Sequence, residues 1–380
     1  MQTLALYIHW PFCASLCPYC DFTRGLWSQA PTQDVTVWLK AYKQELSYWC
    51  HRLGPRKITS IFFGGGTPSL MPLPLLEGIL IHIDKIFKQS HSFIEVTLEM
   101  NPTGVELKKL QDIISLGVNR ISVGVQSLQD KILTFLGRKH SAQEARTVLY
   151  WLKERGVRFS LDLMYAHAYH QNEEVWQEEL KEAVHLAGNH ISLYQLTVEA
   201  GTPFHRYKKQ GNRLTLDSAA AADLYVWTDS YLEFLGWQGY EISNYALKEE
   251  YCSHNLSYWR YEDYLGIGTG AHGRVTLPCA TKYAIVNDPR PECWLNRCTT
   301  SGNGIRREYP LKEEAQFKER MLMGLRLKEG MSLTSPLSPS FRLKIQDLKD
   351  AGYVVEDKAS IQLTREGRLR LDGILAFLWK

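Results

Sequence analysis

Leu6-Tyr7-Ile8-His9-Trp10-Pro11-Phe12-Cys13-Ala14-Ser15-Leu16-Cys17-Pro18-Tyr19-Cys20-Asp21-Phe22 places three thiols at Cys-x3-Cys-x2-Cys spacing, directly behind an apolar run. Thiolates at such spacing hold iron–sulfur clusters, whose irons usually take four cysteines. Three local cysteines leave one iron without a protein ligand, and an open metal position is where an outside molecule coordinates. Zinc is the competing metal, with a fourth ligand drawn from His9, Asp21 or elsewhere. Clustered cysteines in a reducing compartment bind metal or do catalysis more often than they sit idle in a core.

The apolar run ahead of the cysteines is the first of six β-rich segments, each followed by a helical pattern. Strands are expected at Leu4–His9, Ile58–Phe63, Ile94–Leu98, Arg120–Val125, Arg158–Leu163 and His190–Leu196. Helices are expected at Val35–Arg52, Leu73–Gln89, Val105–Leu116, Gln129–Phe135, Ala142–Arg155 and Asn172–Leu186. Strand alternating with helix means parallel strands joined by right-handed crossovers, and six such units make three-quarters of a β/α barrel. Chemistry in such barrels sits where the strands end. Here the ends carry the cysteine loop, Gly64-Gly65-Gly66-Thr67-Pro68, Glu99-Met100-Asn101-Pro102, Gln126-Ser127, Asp162 and Tyr194-Gln195-Leu196-Thr197. Every tip is polar or glycine-rich, and the topology puts all six on one face. The glycine run lets backbone approach a ligand closely. Glu99 suits a pair of ribose hydroxyls, because a carboxylate accepts two hydrogen bonds.

A chain of 380 residues exceeds one core, so a large α/β barrel with a small appended domain is expected. The formal charge of +3 argues against a broad nucleic-acid footprint. Leu75–Phe87 is interrupted by Glu77, His82, Asp84 and Lys85 and cannot span a bilayer. The short Leu4–Ile8 run has no basic segment before it and does not read as a signal peptide. A cytoplasmic protein without a transmembrane segment is expected. Cys50, Cys252, Cys279, Cys293 and Cys298 are scattered, and Cys293 and Cys298 read as ordinary side chains rather than a second metal half-site.

Several blocks together carry a family likeness. They are Tyr7–Cys13, the Gly-Gly-Gly-Thr-Pro loop, Glu99–Pro102, Arg120–Ser127, Leu136-Gly137-Arg138-Lys139-His140, Tyr240–Ala246 and Leu265–Gly273. On these residues the chain resembles the radical S-adenosylmethionine (SAM) superfamily, specifically its coproporphyrinogen dehydrogenase branch and the heme-chaperone subgroup of that branch. The resemblance implies an α/β fold, a partial (β/α)6 radical SAM barrel with a C-terminal α+β winged-helix-like domain. It implies that Cys13, Cys17 and Cys20 hold a [4Fe-4S] cluster. It places Tyr7, Tyr19, Gly65, Gly66, Thr67, Glu99, Gln126, Arg138 and Asp162 around SAM, with Arg138 pairing with the SAM carboxylate. Residues 1–213 would form the barrel, 214–310 a segment closing its open side, and 311–380 the appended domain. No catalytic residue is assigned.

Two features divide the branch. The dehydrogenases carry a fourth cysteine two residues after the third, where this chain has Phe22, and they carry a longer segment ahead of the cluster. Both favour a chaperone that binds heme and delivers it to client hemoproteins, respiratory enzymes at the membrane among them. The alternative is oxygen-independent coproporphyrinogen III dehydrogenase, with another radical SAM transferase more distant, so whether the chain is an enzyme stays open. His254-Asn255-Leu256-Ser257-Tyr258-Trp259 matches the subgroup's His-Asn-x-x-Tyr-Trp signature, which implies heme handling by His254, Asn255, Tyr258 and Trp259. Imidazole is a common axial ligand, and Cys252 is a weaker candidate for that role. Heme or electron donors and a second copy of the chain are further partners to expect.

One loop departs from the family. Tyr165-Ala166-His167-Ala168-Tyr169-His170-Gln171 stands where a Gly-Leu-Pro-Gly-Gln turn is usual, which puts the placement of Asp162 in question, and His167 and His170 are expected at the surface. Leu277–Arg307 reads as irregular. Helices Lys312–Leu327 and Ser340–Ala351, strands Val354–Glu356 and Ile361–Leu363, and a helix Arg365–Phe377 suggest the winged-helix-like module, a lid or docking surface over the cluster. Arg365, Arg368 and Arg370 on it read as a solvated face rather than a nucleic-acid contact.

Overall fold

Apolar residues at alternate and consecutive positions in six short runs drive six strands into the centre of one sheet. They are β1 (Gln2–Trp10), β2 (Arg56–Gly65), β3 (Glu95–Met100), β4 (Arg120–Gln126), β5 (Arg158–Tyr165) and β6 (His190–Gln195). The computed structural model describes residues 2–248, 250–333, 338–357 and 360–379. The strands pair side by side, all parallel, in the order of the sequence. Between them run α1 (Val35–Leu53), α2 (Leu73–Phe87), α3 (Gly104–Ser115), α4 (Asp130–Phe135), α5 (Ala142–Glu154) and α6 (Glu173–Leu186), every expected strand and helix ending within two residues of its expected bounds. This is the partial (β/α)6 barrel.

Each helix turns one stripe inward. In α2, Leu75, Leu76, Ile79, Leu80 and Ile83 are buried at helical spacing. Helix starts are written into the sequence: Thr103 caps α3, Asn172 caps α6, and Ser141 with Glu144 forms a reciprocal capping box on α5.

The segment after β6 extends both edges of this sheet. Asn244–Ala246 (β7) adds antiparallel to β6, and Tyr264–Ile267 (β8) adds parallel to β1 on the other side. His272–Thr276, Lys282–Asn287 and Ile305–Pro310 continue antiparallel beyond β8. The stretch expected to be irregular is therefore two strands and a helix, Pro291–Ser301. Its order comes from distant partners. The buried Glu45 of α1 accepts from Gly268 N (2.8 Å), Gly304 N (2.9 Å), Asn287 Nδ2 (2.8 Å) and Trp294 Nε1 (3.0 Å). Burial pushes this carboxyl up to about 7 against the pull of those donors.

The C-terminal module has its own core of Met321, Leu325, Ile345, Ile361, Ile374 and Leu375. Helices Glu313–Gly324 and Pro339–Asp350 accompany a three-stranded sheet whose first strand, Met331–Ser332, lies between them in sequence, and the last helix is broken into Arg365–Arg368 and Leu371–Trp379. The arginine face is not solvated as expected. Arg368 Nη2 and Arg365 Nε each lie 3.4 Å from the Asp229 carboxylate, on a helix Ser218–Phe234 of the preceding segment (α7), and only Arg370 keeps to the module's own surface, paired with Glu366. Arg326 adds a second tie, 3.1 Å from buried Glu241.

Among the described residues no helix is long and apolar enough to cross a membrane. Asp229→Ala leaves two guanidinium groups without their carboxylate. It is expected to loosen the module by about 1.5–3 kcal/mol, the worth of hydrogen bonds to charged groups. Faster proteolytic release of the C-terminal module would show it, whereas cleavage at the wild-type rate would return Arg365 and Arg368 to the role of surface charges.

Candidate functional site

The six strand tips open into one cavity of about 1300 Å³. Cys13, Cys17 and Cys20 line it, with Tyr7, Tyr19, Gly65, Gly66, Thr67, Glu99, Gln126, Arg138 and Asp162. His254, Asn255 and Tyr258 line the same cavity rather than a separate site, and Phe22 stands exposed beside it.

The cysteine loop is pinned by backbone. Gly66 N donates to the Trp10 carbonyl (2.7 Å) and Thr67 N to that of Phe12 (2.9 Å), while Gly25 N donates to Pro11 (2.7 Å). A Cβ on Gly66 would lie 2.7 Å from the Phe12 carbonyl oxygen, so only glycine allows this approach. Gly65 sits at φ +114° against the His9 ring. His9 is fully engaged: its Nε2 bonds the Thr23 carbonyl (2.8 Å) and its Nδ1 the Tyr7 hydroxyl (3.0 Å). The proton therefore sits on Nε2, Tyr7 donates to Nδ1, and burial holds the imidazole down to about 4.

All three thiols are free. Burial pushes those of Cys13 and Cys20 up, and the Thr67 hydroxyl pulls Cys13 back. Two guanidiniums oppose burial here. Arg138 Nη1 lies 3.6 Å from Cys17 Sγ, and Arg24 Nη2 donates to the Cys17 carbonyl (3.0 Å). The Arg24 charge only partly offsets the burial that keeps Cys13 and Cys20 protonated in the free chain. Among the described residues no three His, Cys, Asp or Glu side chains gather to hold a single ion. His9 is committed to Tyr7 and Thr23 and is not free as a fourth zinc ligand, while Asp21, the other named candidate, lines the same cavity.

The opposite wall carries carboxylates. Glu99 accepts from Gly65 N (3.1 Å), and burial together with the Asp162 charge pushes its carboxyl up to about 8. Asp162 accepts from the hydroxyls of Ser122 and Ser160, so the altered loop after β5 leaves it on the cavity wall. Gln126 takes φ +68° at a bulge in β4, and its Oε1 is buried without a partner among the described residues. A strained residue holding an orphaned acceptor inside a cavity marks a place for a ligand donor. Arg138 donates to Asn101 Oδ1, to the Gly124 carbonyl (2.9 Å) and to the Tyr19 hydroxyl (3.4 Å).

Two expectations change. His167 and His170 are not at the surface but buried, their rings 3.7 Å apart beneath the loop. Ala166 at φ +58° turns the chain where the family uses glycine, and Phe135, Tyr169 and Trp176 cover the two imidazoles. Trp259 lies outside the cavity, its ring under Arg326 at 4.6 Å. Among the described residues the C-terminal module supplies none of the lining, and Asp229 and Glu241 tie it to the preceding segment.

His254 itself is buried, with Nδ1 bonded to Ser60 Oγ (2.8 Å) and Nε2 to the Tyr258 hydroxyl (2.9 Å). Burial lowers the imidazole to about 3, so it is neutral. Cys252 faces Glu95 rather than the cavity, and burial pushes its thiol up to about 12.

Two groups were missed in the sequence. Asn101 links the second tip to the fourth, its Nδ2 donating to Thr67 Oγ1 (3.2 Å) while its Oδ1 holds Arg138. Ser122, Ser160 and Ser192 stack on adjacent strands around Asp162. Small polar residues at inward positions of successive strands were the available signal.

Residues 7–183 match the Radical SAM superfamily and residues 311–370 the HemN C-terminal domain. The chain is 35% identical to the heme chaperone HemW of Haemophilus influenzae, across 99% of this chain and 97% of that one. It is 34% identical to the Escherichia coli heme chaperone HemW, across 99% and 98%. It is also 34% identical to a mitochondrial radical S-adenosyl methionine domain-containing protein 1 of Danio rerio, across 98% and 86%. The solved structure of Escherichia coli coproporphyrinogen III oxidase (HemN) shares the fold, with a TM-score of 0.80 at 20% identity over 99% of this chain and 90% of that one.

Glu99 binds a proton more tightly folded than unfolded, where a free glutamate titrates near 4.5. Its contribution therefore falls as pH rises from about 4.5 through about 8. Glu99→Gln should flatten that fall in the ligand-free chain and melt above wild type at pH 8.5; parallel pH profiles would overturn the assignment.

Proposed function

Because the chain belongs to the radical SAM superfamily and, within it, to the family of the heme chaperone HemW, we propose that it binds heme and passes it to client hemoproteins. The observation that carries this is kinship with HemW proteins along nearly the whole chain. Phe22 at the position of the dehydrogenases' extra cysteine supports it.

In this proposal Cys13, Cys17 and Cys20 hold a [4Fe-4S] cluster beside Arg24 and Arg138. The cavity fits such a pair of cofactors, since it offers free thiols, a glycine cradle and an orphaned acceptor together. The cluster and SAM supply one-electron chemistry when bound. Gly65, Gly66 and Thr67 bring backbone against the methionyl end of SAM, with Tyr7 and Tyr19 flanking it. Glu99 faces the ribose hydroxyls. Gln126 Oε1 receives a donor from SAM, Asp162 is oriented by its serines, and Arg138 faces the SAM carboxylate.

Heme meets the protein at His254, Asn255 and Tyr258, with Trp259 acting from behind through its Arg326 contact. For His254 to ligate iron, one of its two hydrogen bonds must break. A cytoplasmic setting, respiratory hemoproteins as clients and a homodimer complete the proposal.

Anaerobically reconstituted protein should bind heme stably. It should form no protoporphyrinogen IX from coproporphyrinogen III with SAM and reductant, and product formed with turnover would make it a dehydrogenase instead. Joint replacement of His254→Ala and Tyr258→Phe should weaken heme binding about tenfold, the scale of one or two lost neutral hydrogen bonds; unchanged binding would remove the heme site from this helix. Replacing all three cysteines by Ala should abolish the iron–sulfur absorbance while leaving the fold intact by circular dichroism.

A further inference from the structure

One carboxylate stands inside the apolar stripe of α6. Trp176, Leu180, Ala183 and Leu186 bury that face of the helix, and Glu179 lies among them, 3% exposed. A buried carboxylate is costly unless hydrogen bonds compensate it. Those of Glu179 reach one short segment on another element. Its Oε1 accepts from the Ser127 hydroxyl and from Leu128 N (2.6 Å). Its Oε2 has no hydrogen-bond partner among the described residues and faces the loop after β5, where His170 Nε2 lies 3.6 Å away.

Ser127 and Leu128 directly follow Gln126. Gln126 holds φ +68° at the bulge of β4. Outside glycine that conformation is unfavourable and persists only where the surroundings impose it. The imposition is visible on both sides of the residue. Before it, the buried His140 donates from Nε2 to the Val125 carbonyl (3.0 Å). After it, Glu179 holds two consecutive residues through one oxygen. Gln126 itself lines the cavity with its Oε1 unpartnered, whereas Glu179 is not among the lining residues. Any effect of Glu179 on a bound ligand therefore passes through the tip of β4.

We propose that Glu179 is a positioning residue for SAM, which rests on the reading of this cavity as the SAM site. By clamping Ser127 and Leu128 it keeps Gln126 in the left-handed conformation that presents this residue to the cavity. The binding contact belongs to Gln126, and its geometry is set from α6.

The test is a double-mutant cycle on the anaerobically reconstituted full chain, with SAM affinity read by titration and melting temperature read beside it. Gln126→Ala should weaken SAM about tenfold, the scale of one hydrogen bond. Glu179→Ala should weaken it by a similar factor in wild type but by less than about twofold in the Gln126→Ala background, because two residues acting through one contact are not additive. Melting temperature should fall with Glu179→Ala in both backgrounds. Glu179→Gln keeps an acceptor oxygen for Ser127 and Leu128 and should bind SAM within about twofold of wild type. An equal loss of affinity from Glu179→Ala in both backgrounds would make the carboxylate a brace for stability alone and overturn the proposal. So would unchanged affinity in Glu179→Ala or in Gln126→Ala, or a loss in Glu179→Gln as large as that in Glu179→Ala. If Glu179→Ala does not fold, Ser127→Ala takes its place in the cycle and removes one of the two bonds, with a smaller loss that again vanishes beside Gln126→Ala; a loss equal in both backgrounds, or none, overturns the proposal there too. Wild type that binds no SAM would end the reading of the cavity itself, and the positioning role with it.

Discussion

The site depends on two stretches of backbone lying against each other. Gly66 and Thr67 donate to the carbonyls of Trp10 and Phe12, and no side chain separates the glycine from the Phe12 peptide. That contact fixes the loop bearing Cys13, Cys17 and Cys20 relative to the tip of β2. Because β2 pairs with β1 on one side and β3 on the other, it also fixes the loop relative to Glu99. Any Cβ at residue 66 would push the cysteine loop away from the carboxylate wall.

The barrel below this contact is unusual in its polarity. Hydroxyls, a neutral histidine, a carboxylate and an arginine occupy positions that apolar residues fill in most small barrels. Each hydroxyl is tied to a neighbour on the next strand, as in the run from Ser122 through Asp162 and Ser160 to Ser192. Small residues keep the interior hollow, and the hydrogen bonds keep the hollow from being a loss. The outcome is a deep chamber, with a glycine and cysteine rim above and a hydroxyl-lined interior beneath.

The surrounding segments act as braces. Glu45 gathers four donors, from Gly268, Asn287, Trp294 and Gly304, and Asp229 and Glu241 hold the C-terminal module to one flank. The cavity mouth is left beside Phe22, whose apolar ring is 59% exposed. A chain that hands a flat apolar cofactor to a partner gains from such an approach.

The six strands, six helices and cysteine rim were legible in the sequence because they rest on local patterns: apolar alternation, helix caps, glycines and thiol spacing. The family likeness added the residues around SAM from short motifs at the same tips. What local pattern does not carry is which distant group completes each polar side chain. That is why His167 and His170 looked like surface residues, why Arg365 and Arg368 looked solvated, and why Leu277–Arg307 looked irregular. Each is decided by a partner far along the chain: an aromatic cover, Asp229, or the sheet edge at β8. Sequence alone determined the fold class and the tip residues, since periodicity and spacing act over a few residues. Only the tertiary structure decided that Asp162 is held by its serines and that His254 is committed to Ser60 and Tyr258, since hydrogen-bond saturation is settled by neighbours in space.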